Sequence, residues 1–344
     1  MGAPKNAQVN GDGFRFYEWQ DAYTGETTNV LSVTSIRTLV GTPFHLVNWQ
    51  ISNVLDVALD QRKVTVVGPR GGISEKRRKD QYPGEFHRRY IESEGNEGPL
   101  EDLRKWARAA ADDPRNIPAR RGSMVHEAIE RRIPWDRIER AWVEGAFDRL
   151  SERDRKAAPG GVLDEDVYFV RNAVRQWWDF DRKHRLVMLA REMQVFNLEA
   201  GYAGSFDGLA WEAPVTMRAV LPAAAEITPD FIRENGGRLV LIDWKTSPEV
   251  YTDHVLQAHA YMGAEFVGSD GVIDHRLTEL LLATVNGALV SIRPNKWGLY
   301  RFKWNEEAMG AFLGFVAGAR FLAKYPKPDG LFYEVETGSS EEVD

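Results

Sequence analysis

The sequence predicts a mixed α/β or α+β core that carries a helical N-terminal region. Three observations predict it. Helical periodicity dominates up to about residue 185. From Glu192 onward the texture changes to period-2 alternation broken by turn residues. A run apolar on both faces, "LVLIDW" (Leu239–Trp244), is then followed by a helix, more strands and a closing helix.

Residues 14–34 read as short strands around a turn at Gly25. The stretch from Ser32 to Gln61 reads as helical, interrupted near Gly41–Pro43, with apolar residues crowding one broad face. Residues 67–74, "VGPRGGIS", read as a loop. Between 98 and 133 two helices are expected, broken at Pro114 and Pro118, the second starting near Gly122 and Ser123. Residues 136–156 and 164–185 give two more helices around the turn "KAAPGGV". "EMQVFNLEAGYAGSFDGLAW" has the pattern of a strand–turn–strand pair. Residues 213–237 form an insertion with no clear pattern. After the 239–244 strand, "TDHVLQAHAYMGAEF" is a helix with Thr252 as its N-cap and Asp253 in its first turn. The stretch 280–304 is strand-rich, with Asn286-Gly287 suited to a tight hairpin and Pro294-Asn295 to another turn. A helix runs from a cap at Asn305 to a stop at Pro326, and the acidic tail, 335–344, is expected to be disordered. Two regions follow: residues 1–120, strands and helices packed on the core, and a core over 121–326.

The chain has 344 residues, 28% of them charged, and no cysteine. That excludes disulfides, thiolate zinc sites, cysteine nucleophiles and cysteine-ligated iron–sulfur clusters. It fits a reducing cytoplasm. No apolar run has the length of a membrane span, and the first residues lack a signal-peptide core, so no membrane partner is expected. Net charge is −7, yet Arg62–Arg121 carries +5, leaving −12 for the rest. Its densest basic points are Arg77, Arg78, Lys79, Arg88 and Arg89, with Arg120 and Arg121 at its end. Such a stretch is either a set of solvated helix faces or a footprint for a polyanion.

In a strand, Asp243 and Lys245 share one face and Trp244 takes the other. The polar end of a central strand lies at the rim of the core. If the "GYAGSFDGL" strand pairs beside it, Asp207 converges on Asp243. Two carboxylates at one rim call for a cation between them, and a hard divalent ion is the usual solution. An isolated Asp-x-Lys step is more often a structural salt bridge. His126 and Glu130, four apart, share a helix face, as do Gln257 and Tyr261. "HEAIE" lacks the second histidine of a zinc peptidase, so that chemistry is rejected.

"RRGSMVHEAIE", "GYAGSFD", "LIDWKTS" and "QAHAY" occur in this order, after an opening "NVLSVTSIRTLVGTPFHLVNWQ". Together they resemble the RecB-like nucleases of the PD-(D/E)XK superfamily, especially compact phage exonucleases related to CRISPR-associated adaptation nucleases. The resemblance implies a restriction-endonuclease-like core, a central mixed sheet flanked by helices. It implies that His126, Asp207 and Asp243 hold Mg²⁺ or Mn²⁺, that Lys245 acts on the attacking water, and that Gln257 and Tyr261 lie near the scissile phosphate. Glu192 matches a position that is often acidic in the family. The four cysteines of the iron–sulfur members are absent. The implied activity is a metal-dependent DNA nuclease, exonuclease more than endonuclease, serving recombination or replication beside a recombination or single-strand annealing protein. The alternative is an inactive DNA-binding or structural subunit of the same fold.

Overall fold

A mixed sheet of ten strands, flanked by helices on both faces, organises the chain. The computed structural model describes residues 7–9, 15–38, 63–67, 73–77, 117–150, 155, 161–217, 220–247 and 249–324. In chain order the elements are β1 (Ala7–Val9), β2 (Arg15–Gln20), β3 (Thr27–Ser32), α1 (Val33–Thr38), β4 (Lys63–Val67) and β5 (Ile73–Arg77). Then come α2 (117–130), α3 (Arg140–Asp148), α4 (Asp164–His184), β6 (Leu186–Asn197), β7 (Tyr202–Glu212) and α5 (Pro229–Asn235). The rest are β8 (Arg238–Lys245), α6 (Thr252–Met262), β9 (Phe266–Ser269), β10 (Val272–Ile273), α7 (His275–Leu282), β11 (Asn286–Arg293), β12 (Lys296–Lys303) and α8 (Glu306–Lys324).

The central strand is β8. It runs antiparallel to β7 on one side and parallel to β11 on the other. Its alternate residues serve two cores, as a strand apolar on both faces requires. Leu239 and Leu241 pack with Leu209, Trp211 and Tyr261 on the α6 side. Val240, Ile242 and Trp244 pack with α2, α3 and α4 on the other. Helix α4 buries Val170, Ala173, Val174, Trp177 and Phe180, a spacing of three and four that makes one apolar stripe. Acids fill its first turn and bases its last, matching the helix dipole.

Strand β7 changes partner along its length. With β6 occupying one edge throughout, its other edge is taken by β3 at Tyr202 and Ala203 and by β8 from Gly208 onward. Residues 204–207 therefore face a fork in the sheet. The N-terminal strands are part of this sheet, and Tyr17 and Trp19 of β2 bury themselves with Phe196 and Phe266 in a third core.

Several expectations are corrected. Val67, Ile73 and Ser74, expected in a loop, belong to the antiparallel pair of β4 and β5, and residues 68–72 lie outside the described residues. Pro118 sits inside α2, which is already helical at residue 117, ahead of the expected start near Gly122. Thr252 is the first helical residue of α6, with Tyr251 in the cap position. Asn286-Gly287 makes no hairpin. It opens β11, and the β11–β12 turn falls at Pro294-Asn295, as that pair suggested. Residues 213–237 form two short 3₁₀ turns and α5, tied to α7 by Arg276, which donates to the carbonyls of Ala224 and Ile227. This insertion precedes β8, at the opposite end of that strand from Lys245. The acidic tail and the 39–62 stretch lie outside the described residues.

Candidate metal centre

Four elements meet at the fork. Helix α2 contributes His126, β6 contributes Glu192, β7 contributes Asp207, and β8 contributes Asp243 and Lys245. Where β7 and β8 part company, the backbone N–H of Trp244 has no ladder partner on the β7 side. Asp207 Oδ2 accepts it at 2.8 Å. The carboxylate thus closes the end of the ladder and fixes its own orientation. Its second oxygen lies 3.3 Å from His126 Nδ1. Glu192 Oε1 lies 3.7 Å from the same nitrogen. One ligand atom from each of His126, Glu192 and Asp207 falls within 4.8 Å of the others.

Glu192 reaches this position through its backbone. Its φ is +49°, a left-handed conformation that non-glycine residues avoid at a cost of about 1–2 kcal/mol. The sequence placed Glu192 at the edge of the site, and the geometry places it in the closest set. Asp243, expected as the second carboxylate ligand, stands instead against Lys245, whose Nζ lies 2.9 Å from Oδ1 and 2.8 Å from Oδ2. Lys245 also donates to Gln257 Oε1 at 3.3 Å, and Gln257 Nε2 donates to the Tyr261 hydroxyl at 2.6 Å. The expected helix-face pair therefore joins the lysine directly. Gly204 makes room for it: a Cβ there would lie 2.5 Å from Tyr261 Cε1.

The electrostatics are those of a crowded, nearly dry acidic site. Asp207 is 3% exposed, Asp243 1% and His126 6%. Burial opposes the charged form of His126, yet Asp207 and Glu192 outweigh it and hold the imidazole at about 9. Burial pushes Glu192 up, with Asp207 adding to the push and His126 opposing it. Asp207 is buried too, but His126, Lys245 and the Trp244 N–H hold it below the usual carboxylate range. Asp243 rises to about 6, from burial first and Asp207 next among the causes that raise it, against the pull of Lys245. Burial likewise lifts the Tyr261 phenol well above its ordinary value.

A divalent cation fits these residues. His126 Nδ1 and Glu192 Oε1 are buried polar atoms with no hydrogen-bond partner. They lie 3.7 Å apart, and Asp207 Oδ1 is 3.3 Å from the nitrogen. One imidazole nitrogen with carboxylate oxygens suits Mg²⁺ or Mn²⁺.

The remaining predicted residues lie elsewhere. Glu130 is exposed at the end of α2 and enters the site only by raising Glu192 through its charge. Arg120 Nη2 and Arg121 Nε each lie 2.7 Å from an oxygen of Asp166. Arg120 is 2% exposed, which corrects its reading as a DNA contact: its charge is spent on holding α2 to α4. Arg77 closes β5, and Arg78, Lys79, Arg88 and Arg89 lie outside the described residues. Sequence reasoning missed Tyr17. It is buried in β2; burial lifts its phenol above the ordinary value, and the charge of Glu192 adds to that rise. The alternation in "RFYEWQ" marks Tyr17 as inward-facing, but nothing local links it to residues nearly two hundred positions away.

No protein-family model matches the chain, and no curated protein matches it.

Proposed function

We propose that the chain is a metal-dependent nuclease that hydrolyses phosphodiester bonds in DNA, acting from ends, on a restriction-endonuclease-like core. The observation that carries this is the pair of buried, unpartnered ligand atoms, His126 Nδ1 and Glu192 Oε1, converging with Asp207 beside an Asp243–Lys245 pair. Phosphodiester hydrolysis needs an in-line water, charge neutralisation on the phosphate, and a route for protons. His126, Glu192 and Asp207 would hold Mg²⁺ or Mn²⁺, which supplies Lewis acidity toward a phosphoryl oxygen.

The protein's own groups do the rest. Asp243 and Gln257 both accept from the Lys245 ammonium and orient it. So placed, Lys245 donates toward the attacking water and the charge developing on the phosphate. Tyr261 accepts from Gln257 and keeps that amide in register. The low exposure of the site strengthens each of these interactions relative to water. A subunit that only binds DNA has no need for five ionisable groups assembled at one fork. The basic stretch 62–121, Arg120 and Arg121 excepted, is assigned to the DNA backbone, and a recombination or annealing protein is the natural partner class.

The test is cleavage of linear and circular DNA, single- and double-stranded, with Mg²⁺, Mn²⁺ or chelator. Linear DNA should be degraded with metal and spared with chelator, and circular DNA should resist. Glu192→Gln should weaken Mn²⁺ binding, read by calorimetry, at least about tenfold, or about 1.4 kcal/mol. A folded protein that binds Mn²⁺ and cleaves none of these substrates would refute the activity.

A further inference from the structure

The hairpin of β11 and β12 overhangs the end of β8. Its two strands pair as far as Arg293 and Lys296, at the turn. The ladder between β11 and β8 ends earlier, where Ser291 pairs with Lys245. Ile292 and Arg293 therefore run past the last residue of β8.

Paired residues of neighbouring strands point to one face, and the face alternates along each strand. Ala288, Val290 and Ile292 are buried on the face of Val240, Ile242 and Trp244. Leu289, Ser291 and Arg293 thus share the other face with Asp243 and Lys245. Lys296, directly opposite Arg293, takes that face too. At about 3.3 Å per residue and 4.8 Å between strands, the Cα atoms of Arg293 and Lys245 lie about 8 Å apart.

Two cations directly opposite each other destabilise a strand pair. Nothing offsets them here. Among the described residues neither Arg293 nor Lys296 forms an ion pair or a side-chain hydrogen bond. Lys296 is exposed, but Arg293 is half-buried, and its Nε is buried without a partner. Burying a guanidinium donor with no acceptor is unfavourable. The charge of Arg293 also reaches the Tyr251 hydroxyl, in the connection from β8 to α6, as the shared face requires. Unpaired positive charge thus stands at the rim, in a chain whose net charge is −7.

We propose that Arg293 and Lys296 hold a backbone phosphate of the substrate strand, next to the phosphate that Lys245 faces. This rests on the nuclease reading. The strand would cross the ends of the sheet from the fork, over β8, to the hairpin turn. The planar fork of Arg293 suits two phosphate oxygens, and Lys296 adds a point charge.

The probe is a 5′-hydroxyl oligonucleotide in chelator, which offers only diester phosphates and is not cleaved. Anisotropy over a salt series reads affinity and its salt slope. Arg293→Gln should raise Kd about tenfold and Lys296→Gln about threefold, each lowering the slope by about one. Arg293→Lys keeps the charge and should restore the slope and most of the affinity. Lys303→Gln, exposed at the far end of the same hairpin, should match the wild type. All four variants should keep wild-type Mn²⁺ affinity, read by calorimetry, and wild-type melting temperature. If Arg293→Gln melts early, the exposed Lys296→Gln decides alone. Wild-type Kd and slope in the glutamine variants of Arg293 and Lys296, or an equal loss in Lys303→Gln, would overturn the subsite and leave the nuclease reading standing. A wild type that binds no oligonucleotide in chelator would overturn it as well, while the nuclease reading is tested by cleavage with metal.

Discussion

Replacing Lys245 by methionine keeps most of the aliphatic stem and removes the ammonium. Two effects follow from the geometry. The first is on stability. Breaking a buried ion pair costs about 3–5 kcal/mol when the remaining charge has no escape. Asp243 has one. With Lys245 beside it, its carboxyl already stands at about 6 rather than 3.8. Without Lys245 it rises further and takes up a proton. Between the ordinary and the raised value the native state holds a proton that the unfolded chain has lost, so stability falls as pH rises. In the wild type that fall ends at about 6. In the variant it continues, at up to about 1.4 kcal/mol per pH unit. The two proteins should therefore melt alike at about pH 5 and differ by up to about 3 kcal/mol at about pH 8. The second effect is on turnover. Removing a donor to the transition state costs about 10²–10³ in rate. Melting by calorimetry at the two pH values, and DNA cleavage at the higher one, read both. A melting gap that does not change with pH refutes the assignment of Asp243. Wild-type cleavage by the folded variant refutes the role of Lys245.

Two further outcomes follow from packing. Asp166 is fully buried and accepts from Arg120, Arg121 and the backbone N–H of Leu163. Asp166→Ala strands Arg120 and should cost about 3–5 kcal/mol, lowering the melting temperature by roughly 10 °C; a drop of a degree or two would return the arginines to the surface. Gly204→Ala forces a methyl against the Tyr261 ring, so it should destabilise by about 1–3 kcal/mol and slow cleavage by displacing Gln257. A variant as stable and active as the parent would show that β7 yields there at no cost.

Much of the site could be read from local rules. Asp243 and Lys245 follow from strand alternation in an apolar run, and Gln257 and Tyr261 from helical spacing. The contact between the two pairs follows from the short connection between β8 and α6. Asp207 needed only the pairing of two adjacent strands. Glu192 was harder, because its carboxylate enters through a left-handed residue that no side-chain periodicity reveals. Arg120 and Arg121 looked like free charge because Asp166 lies some forty-five residues away. Asn286-Gly287 has the chemistry of a turn, but tertiary pairing overrode it: Gly287 sits opposite Leu241 in a parallel ladder.

The fork in the sheet has a consequence for how the chain can be divided. Every residue of the candidate metal centre lies beyond residue 121, so a shortened chain beginning there would keep all of them. It would lose β3, which pairs with the first residues of β7 just ahead of the fork. Tyr202 and Ala203 would then present unpaired backbone groups along an open edge. Phe196 and Phe266, now covered by Tyr17 and Trp19, would stand bare beside them. Such an edge is a template for another copy of itself. The shortened protein should form aggregates through β7, with the candidate site intact and buried inside them.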